Sequence, residues 1–148
     1  MRWVQDHREY TVEEIFQYIS DCPIICIGSD SQRHGLDVKY STVILCEKPN
    51  TTSGPMYWYW NQRIVYDTLT LRERIFKECN RSMEVAFWLQ KKFPNKKIEV
   101  HVDVSTDPRH ASSRYLMETK GFIQGCGFDF KCKPESWVAS TVADWHVK

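Results

Sequence analysis

The sequence lacks the cysteine spacings that indicate a zinc finger or a disulfide framework. Its six cysteines include no Cys-x-x-Cys pair, and Cys26, Cys46 and Cys132 lie within apolar or strand-like runs. A strong sequence signal for structural zinc or for a disulfide framework depends on such ligand spacings. We therefore predict that the thiols are reduced and mostly buried.

Long hydrophobic runs are also missing. No apolar run approaches the length that crosses a bilayer, and the opening residues MRWVQDHREY contain no apolar segment of the signal-peptide type. We therefore expect no membrane partner and a cytoplasmic location. No internal repeat, linker or low-complexity tract interrupts the 148 residues. This length is usual for one domain, so a single domain over residues 1–148 is predicted.

The charges are nearly balanced, because 20 basic and 19 acidic side chains leave a net charge of +1. A nucleic-acid site on such a chain must be a local patch rather than the whole surface. Lys131 and Lys133 flank Cys132 and point to one face of a strand, so they are candidate phosphate contacts. The aromatic run YWYW at residues 57–60 offers bases a stacking surface, but at most half of it faces one side of a strand.

Turn-forming residues divide the first half of the chain into one helix and three strands. Thr11 and Glu14 form a T-x-x-E capping box that opens a short helix. Three strand-like runs follow: IICIGSD, VKYSTVILCEK and MYWYWNQRIVY, the last ending at Tyr66. The links between them, SQRHGLD and PNTTSGP, are rich in turn formers, which predicts an antiparallel meander.

The second half of the chain alternates helices with strands. Residues 69–92 contain no glycine or proline and carry apolar residues every three or four positions, so they predict the longest helix. The strand KIEVHVDV follows, and Asp107 with Pro108 is predicted to start a helix running toward Gly125. The strand FDFKCK and a helical ESWVASTVADWHVK segment complete the order. This order predicts a mixed sheet with helices on its faces.

Two acids follow apolar strand-like runs. Asp30 ends IICIGSD and Asp103 ends KIEVHVD. If these strands are parallel neighbours, both acids leave the sheet at the same edge, where α/β proteins build ligand sites. A divalent cation between two carboxylates relieves their repulsion, and oxygen ligands favour Mg²⁺ or Mn²⁺ over zinc.

The long helix supplies a third candidate acid. On a helical wheel, Glu78 borders the apolar stripe, whereas Glu73 and Glu84 fall on the opposite, solvent-facing side. Glu78 is therefore the acid predicted to approach Asp30 and Asp103. The alternative is that Glu78 pairs with Arg74 or Arg81 at helical spacing.

The C-terminal segment supplies the last candidates. Asp144, with Ser140 one helical turn earlier, can turn toward the same sheet edge, and Ser140 is a candidate nucleic-acid contact. Glu135 is the rival acid, although a glutamate at a helix start more often interacts with the helix dipole. Asp144 also fits a simple solvated position near the terminus.

The segments GSDSQ, RERIFKECNRSMEVA, HVDV and GCGFDFKCKPESWVASTVADWHVK together resemble the YkuK-like family of the ribonuclease H-like superfamily. The resemblance implies a ribonuclease H-like mixed five-stranded sheet flanked by helices, with residues 1–22 as an additional N-terminal helical extension. It also implies an active site of four acids, which correspond here to Asp30, Glu78, Asp103 and Asp144.

Together these observations predict a metal-dependent nuclease. The four acids would hold two Mg²⁺ or Mn²⁺ ions for phosphodiester hydrolysis, with RNA, an RNA/DNA hybrid or structured DNA as the partner. His101, on the same strand face as Asp103, and His34, in the loop after Asp30, are candidate proton shuttles. The alternatives are a nucleic-acid-binding module that keeps the fold without turnover and a purely structural protein.

Overall fold

A seven-stranded mixed sheet forms the centre of the molecule. The computed structural model describes residues 1–47, 56–65 and 69–148. The predicted turn PNTTSGP and the predicted strand end at Tyr66 lie outside these residues. The strands are β1 (Trp3–Gln5), β2 (Arg8–Tyr10), β3 (Ile24–His34), β4 (Asp37–Glu47), β5 (Met56–Ile64), β6 (Lys97–His101) and β7 (Asp129–Lys131). Their order across the sheet is β2-β1-β5-β4-β3-β6-β7.

The predicted five strands are present as β3 to β7, but the sheet has two more. β1 and β2 form an N-terminal hairpin, and Val4 on β1 pairs with Tyr59 on β5. The hairpin turns at Asp6 and His7, whose φ angles of 49° and 64° lie in the left-handed region. Such angles suit a two-residue hairpin turn. The predicted helix that opens at the Thr11 capping box is present over Val12–Ile19. The hairpin before it was not predicted, because its turn lacks the glycine that usually marks a hairpin.

The central strands pair as predicted. β3 is antiparallel to β4, and β4 is antiparallel to β5. β3 also runs parallel to β6, in a register from Ile24–Lys97 to Gly28–His101. β3 continues past this ladder, since its pairing with β4 extends to His34. Asp30 therefore lies within a strand rather than at its end, but it lies just past the last parallel pair.

The helical elements occupy both faces of the sheet. They are α1 (Val12–Ile19), α2 (Leu71–Lys92), a 3₁₀ helix (Ala111–Tyr115), α3 (Leu116–Gly125), a π-helix (Val138–Ala143) and α4 (Asp144–Val147). The predicted helix start at Asp107 is wrong, because the Asp107 carboxylate accepts hydrogen bonds from Arg109 in a local turn. In the described part of the chain, no helix combines the length and apolarity needed to cross a membrane.

Small residues bring the helices close to β3 on both faces. On one face, the Ser82 hydroxyl of α2 lies 2.7 Å from the Ser29 hydroxyl. On the other face, a Cβ atom added to Gly28 would lie 2.6 Å from the backbone nitrogen of Ala139 in the π-helix. Any larger side chain at position 28 would therefore push the C-terminal segment away from the sheet. These contacts fix the position of both helical elements relative to Asp30.

The cysteines differ in part from the prediction of six reduced thiols. Cys22 and Cys46 form a disulfide, with Cα atoms 5.8 Å apart. The β3–β4 register explains this disulfide. Ile25 pairs directly with Cys46, and Cys22 lies two residues before β3 begins at Ile24. The other four cysteines form no disulfide in the described part of the chain: Cys26, Cys79, Cys126 and Cys132.

Candidate active site

Asp30 and Asp103 lie together where the parallel β3–β6 ladder ends. Asp30 is only 8% exposed, and its Oδ1 accepts a 2.9 Å hydrogen bond from the Ser31 backbone N–H. Asp103 follows the end of β6 by two residues, and its side chain is 23% exposed. Because β6 stops at His101, the edge of β3 beside Asp30 is open on that side, and other side chains can reach it.

Glu78 reaches this edge from α2. Its side chain is 7% exposed, and its Oε1 accepts a 2.5 Å hydrogen bond from the Ser31 hydroxyl. The Arg74 guanidinium in turn donates to the Ser31 hydroxyl at 3.2 Å and to the Ser31 carbonyl at 2.9 Å. Arg81 contacts Gln62 and the ring of Tyr40 instead.

The other two acids of α2 face away from Asp30. Glu84 is exposed, and Glu73 accepts a hydrogen bond from Thr70 at the start of the helix. The helical phase predicted from the sequence therefore places Glu78, and neither of its rivals, at the buried edge.

Asp144 approaches Asp30 from the opposite face of the sheet. Its carboxyl is close enough to Asp30 to contribute to the raised pKa of Asp30, and its Oδ2 also pairs with Lys148 Nζ at 2.8 Å. The close packing of the π-helix against Gly28 holds α4, and with it Asp144, in this position. Glu135, the rival acid, is instead exposed and pairs with Lys131 at 3.6 Å.

Burial, together with neighbouring acids, raises the pKa values of Asp30 and Glu78. Burial, and then the negative charge of Asp103, raise the pKa of Asp30 to about 8. Burial also raises the pKa of Glu78 well above its ordinary value, with Asp30 adding to the effect. Both shifts disfavour the charged forms. The site therefore stabilises the ionised carboxylates poorly, and a bound cation would favour their ionised forms.

A lysine lies among these acids. The Lys133 Nζ is 2.9 Å from Asp103 Oδ1 and forms an ion pair with it, although the geometry is not that of a hydrogen bond. A cavity of about 220 Å³ opens beside the acids. Its lining combines acidic, basic and small side chains: Asp30, Leu71, Arg74, Ile75, Glu78, Asp103, Ser112 and Lys133.

The two candidate histidines lie outside this cavity. His101 shares the sheet face of Asp103, but its ring is buried and contacts Glu99 and the Val138 amide. His34 lies four residues beyond Asp30, roughly 13 Å along an extended strand, and contacts the Val147 carbonyl at 2.9 Å. Within residues 1–47, 56–65 and 69–148, no hydrogen bond or ion pair joins either imidazole to the four acids.

The remaining candidate contacts have structural partners of their own. The Ser140 hydroxyl donates to the Ser136 carbonyl at 2.9 Å. The YWYW run alternates between the two faces as expected: Trp58 is buried in the core, whereas Tyr59 stacks on His146 with ring centroids 3.7 Å apart.

Sequence reasoning missed the groups that support the acids. Ser31 and Arg74 hold Glu78 in place; Ser31 was not predicted to act there, and Arg74 was considered only as an ion-pair partner of Glu78. The pattern SDS at residues 29–31 was a usable signal, because side chains alternate along a strand. Ser31 therefore had to face α2, on the opposite side of the sheet from Asp30.

Comparison with known proteins identifies one family. A family model described as Ribonuclease H-like matches residues 10–148. The match includes α1 and ends with the chain, so it covers all four acids. No curated protein and no solved structure shows a significant match.

Proposed function

Because the chain belongs to the ribonuclease H-like family, we propose that it is a divalent-metal-dependent nuclease that hydrolyses phosphodiester bonds. The convergence of Asp30, Glu78, Asp103 and Asp144 carries this proposal. These acids come from β3, α2, α4 and the segment after β6, and they approach one edge of the sheet. RNA, an RNA/DNA hybrid and structured DNA are the proposed substrate classes.

The donor set of the site fits Mg²⁺ or Mn²⁺. All four groups are carboxylates, and hard oxygen ligands favour these cations. The pKa values of Asp30 and Glu78 are raised first by burial and then by neighbouring acids, so their own surroundings do not stabilise the ionised carboxylates. Asp30, Glu78, Asp103 and Asp144 would hold two ions, which would lower the pKa of a water nucleophile and stabilise the leaving oxygen.

The rest of the chain orients these ligands. Ser31 donates to Glu78 and receives hydrogen bonds from Arg74, so α2 and β3 are fixed to each other next to the acids. Lys133 lines the same cavity and places a positive charge beside Asp103. An ammonium group at this position can contact a substrate phosphate, which is the role we propose for it.

The alternative is a nucleic-acid-binding module without turnover. One observation favours it: Lys133 pairs with Asp103, and Lys148 pairs with Asp144. Two of the four acids are thus partly neutralised by side chains of the chain itself. A module of this kind would bind nucleic acid and leave it intact.

A cleavage assay separates the two functions. The wild type is incubated with single-stranded RNA, an RNA/DNA hybrid and branched DNA in the presence of Mn²⁺ or Mg²⁺. We expect cleavage of at least one substrate and its loss on adding a chelator. Asp103→Asn and Glu78→Gln should lower the rate by about a hundredfold or more, which is the scale of removing a group that stabilises the transition state.

Glu84→Gln is the matched control, because it makes the same change on the exposed face of the same helix. It should cleave at the wild-type rate. Binding of nucleic acid without cleavage in every metal condition would favour the binding module. Cleavage that persists at full rate in both Asp103→Asn and Glu78→Gln would show that the nuclease site lies elsewhere.

A further inference from the structure

A second cluster of metal-ligating side chains lies next to the acid site. Cys26 on β3 and Glu99 on β6 are register partners, and His101 lies two residues further along β6 on the same face. One ligand atom from each of these residues lies within 4.8 Å of the other two. Cys26 and His101 are buried, and the Glu99 side chain is 13% exposed. The cluster is therefore largely enclosed, with a path to solvent beside Glu99.

Two distances within this cluster match the edges of a tetrahedral zinc site. The Cys26 sulfur lies 3.6 Å from Glu99 Oε1, and His101 Nε2 lies 3.3 Å from the same oxygen. Zinc bonds of about 2.3 Å to sulfur and about 2.05 Å to nitrogen or oxygen, at tetrahedral angles, give edges of about 3.6 Å and about 3.3 Å. Two of the three edges are thus already spaced for one ion, and the third, between Cys26 and His101, is no longer than 4.8 Å.

We propose that Cys26, Glu99 and His101 form a zinc site with water as the fourth ligand. Thiolate, imidazole and carboxylate together favour zinc over Mg²⁺ or Mn²⁺, which prefer oxygen ligands alone. The site joins β3 to β6 just before the parallel ladder ends, below the first turn of the π-helix. It is independent of the proposed nuclease function, because it uses none of the four acids.

Several neighbouring groups oppose binding and must adjust, among them the ammonium of Lys131, the register partner of His101 on β7, whose charge acts on the imidazole. Lys97 Nζ lies 3.8 Å from Glu99 Oε2, but this lysine is half exposed and also pairs with Asp129, so it can remain at the outer oxygen. The Val138 amide faces His101 Nδ1 at 3.5 Å. Coordination through Nε2 moves the imidazole proton to Nδ1, so zinc binding replaces this long contact with a metal bond.

Cobalt substitution tests the site with a signal that carboxylates do not produce. The full-length protein, freed of metal with a chelator, is titrated with Co²⁺ without oxygen. We expect the intense visible bands of a tetrahedral site and a near-ultraviolet thiolate-to-cobalt charge-transfer band, both removed by Zn²⁺. Cys26→Ala should abolish the charge-transfer band. Cys132→Ala, which removes a thiol outside the cluster, should keep it, as should Asp30→Asn.

Glu99→Gln keeps the Cys26 thiol and the shape of the side chain at position 99. It therefore tests the zinc site even if Cys26→Ala does not fold. We expect its apparent Co²⁺ affinity to fall by at least the roughly tenfold typical when a group supporting a metal ligand is removed. A wild type without a charge-transfer band at saturating Co²⁺ would overturn the proposal. A band unchanged in Cys26→Ala, or unchanged affinity in folded Glu99→Gln, would overturn it as well.

Discussion

Asp30→Asn is expected to raise the stability of the metal-free protein at pH 7 while it abolishes metal-dependent cleavage. The pKa of Asp30 is raised to about 8 by burial and by Asp103. In the unfolded chain an aspartate titrates near pH 3.9. At pH 7 the native state therefore holds a proton that the unfolded state has released, and this proton uptake opposes folding.

The sign of the pH dependence follows from this difference. The contribution of Asp30 to stability is most favourable below about pH 4, where both states are protonated, and falls as the pH rises toward about 8. Asparagine carries no charge and can still accept the hydrogen bond from the Ser31 N–H. The variant should therefore gain up to about 4 kcal/mol at pH 7, and less as the pH approaches 4.

Urea unfolding in the presence of a chelator, at several pH values between 4 and 8, measures this effect. Glu84→Gln is the control, because its side chain is exposed and should change stability little. A destabilised Asp30→Asn variant would instead identify Asp30 as an acid held by a positive partner. That result would remove the electrostatic basis of the proposed site.

Lys133→Met is expected to bind Mn²⁺ about tenfold more tightly than the wild type and to cleave more slowly. The Lys133 ammonium pairs with Asp103 at 2.9 Å, so it competes with a cation for the same carboxylate. Methionine keeps much of the side-chain volume and removes the charge. A repulsion of about 1–2 kcal/mol between nearby charges in a solvent-accessible site corresponds to roughly tenfold in affinity.

The slower cleavage has a separate cause, since the same lysine is the proposed phosphate contact. Calorimetry measures the Mn²⁺ affinity, and single-turnover kinetics measure cleavage. Lys120→Met, on an exposed position of α3, should change neither quantity. If Lys133→Met bound Mn²⁺ no more tightly than the wild type, the lysine would not be competing for Asp103.

The positions of the acids followed from local patterns in the sequence. Asp30 and Asp103 each come after an apolar run, and parallel pairing of β3 with β6 places them at one edge. Helical phase placed Glu78 correctly, because α2 is long and regular over Leu71–Lys92. The ribonuclease H-like family assignment was also predictable, because the family resemblance is carried by short sequence segments, the most specific of which is KPESWVAS.

Features that depend on contacts distant in sequence were not predictable in the same way. The β1–β2 hairpin joins the sheet through Val4 and Tyr59, and no local pattern signals that pairing. The Cys22–Cys46 disulfide depends on the register between β3 and β4 rather than on cysteine spacing.

The proposed zinc site follows the same rule. Glu99 and His101 lie 73 and 75 residues after Cys26 in the sequence, and only the pairing of β3 with β6 brings them to it. The absence of a Cys-x-x-Cys pair therefore excluded one kind of zinc site and carried no information about this one.

Direct titration with Mn²⁺ tests the central claim that the four acids hold divalent cations. Calorimetry on the wild type, Asp30→Asn, Asp103→Asn and the exposed-face control Glu84→Gln requires no knowledge of the substrate. Cys26→Ala, included as well, separates the acid site from the proposed zinc site. We predict that the wild type, Glu84→Gln and Cys26→Ala bind Mn²⁺ alike and that both asparagine variants lose binding. A wild type that does not bind Mn²⁺, or asparagine variants that bind it as tightly as the wild type, would contradict the account.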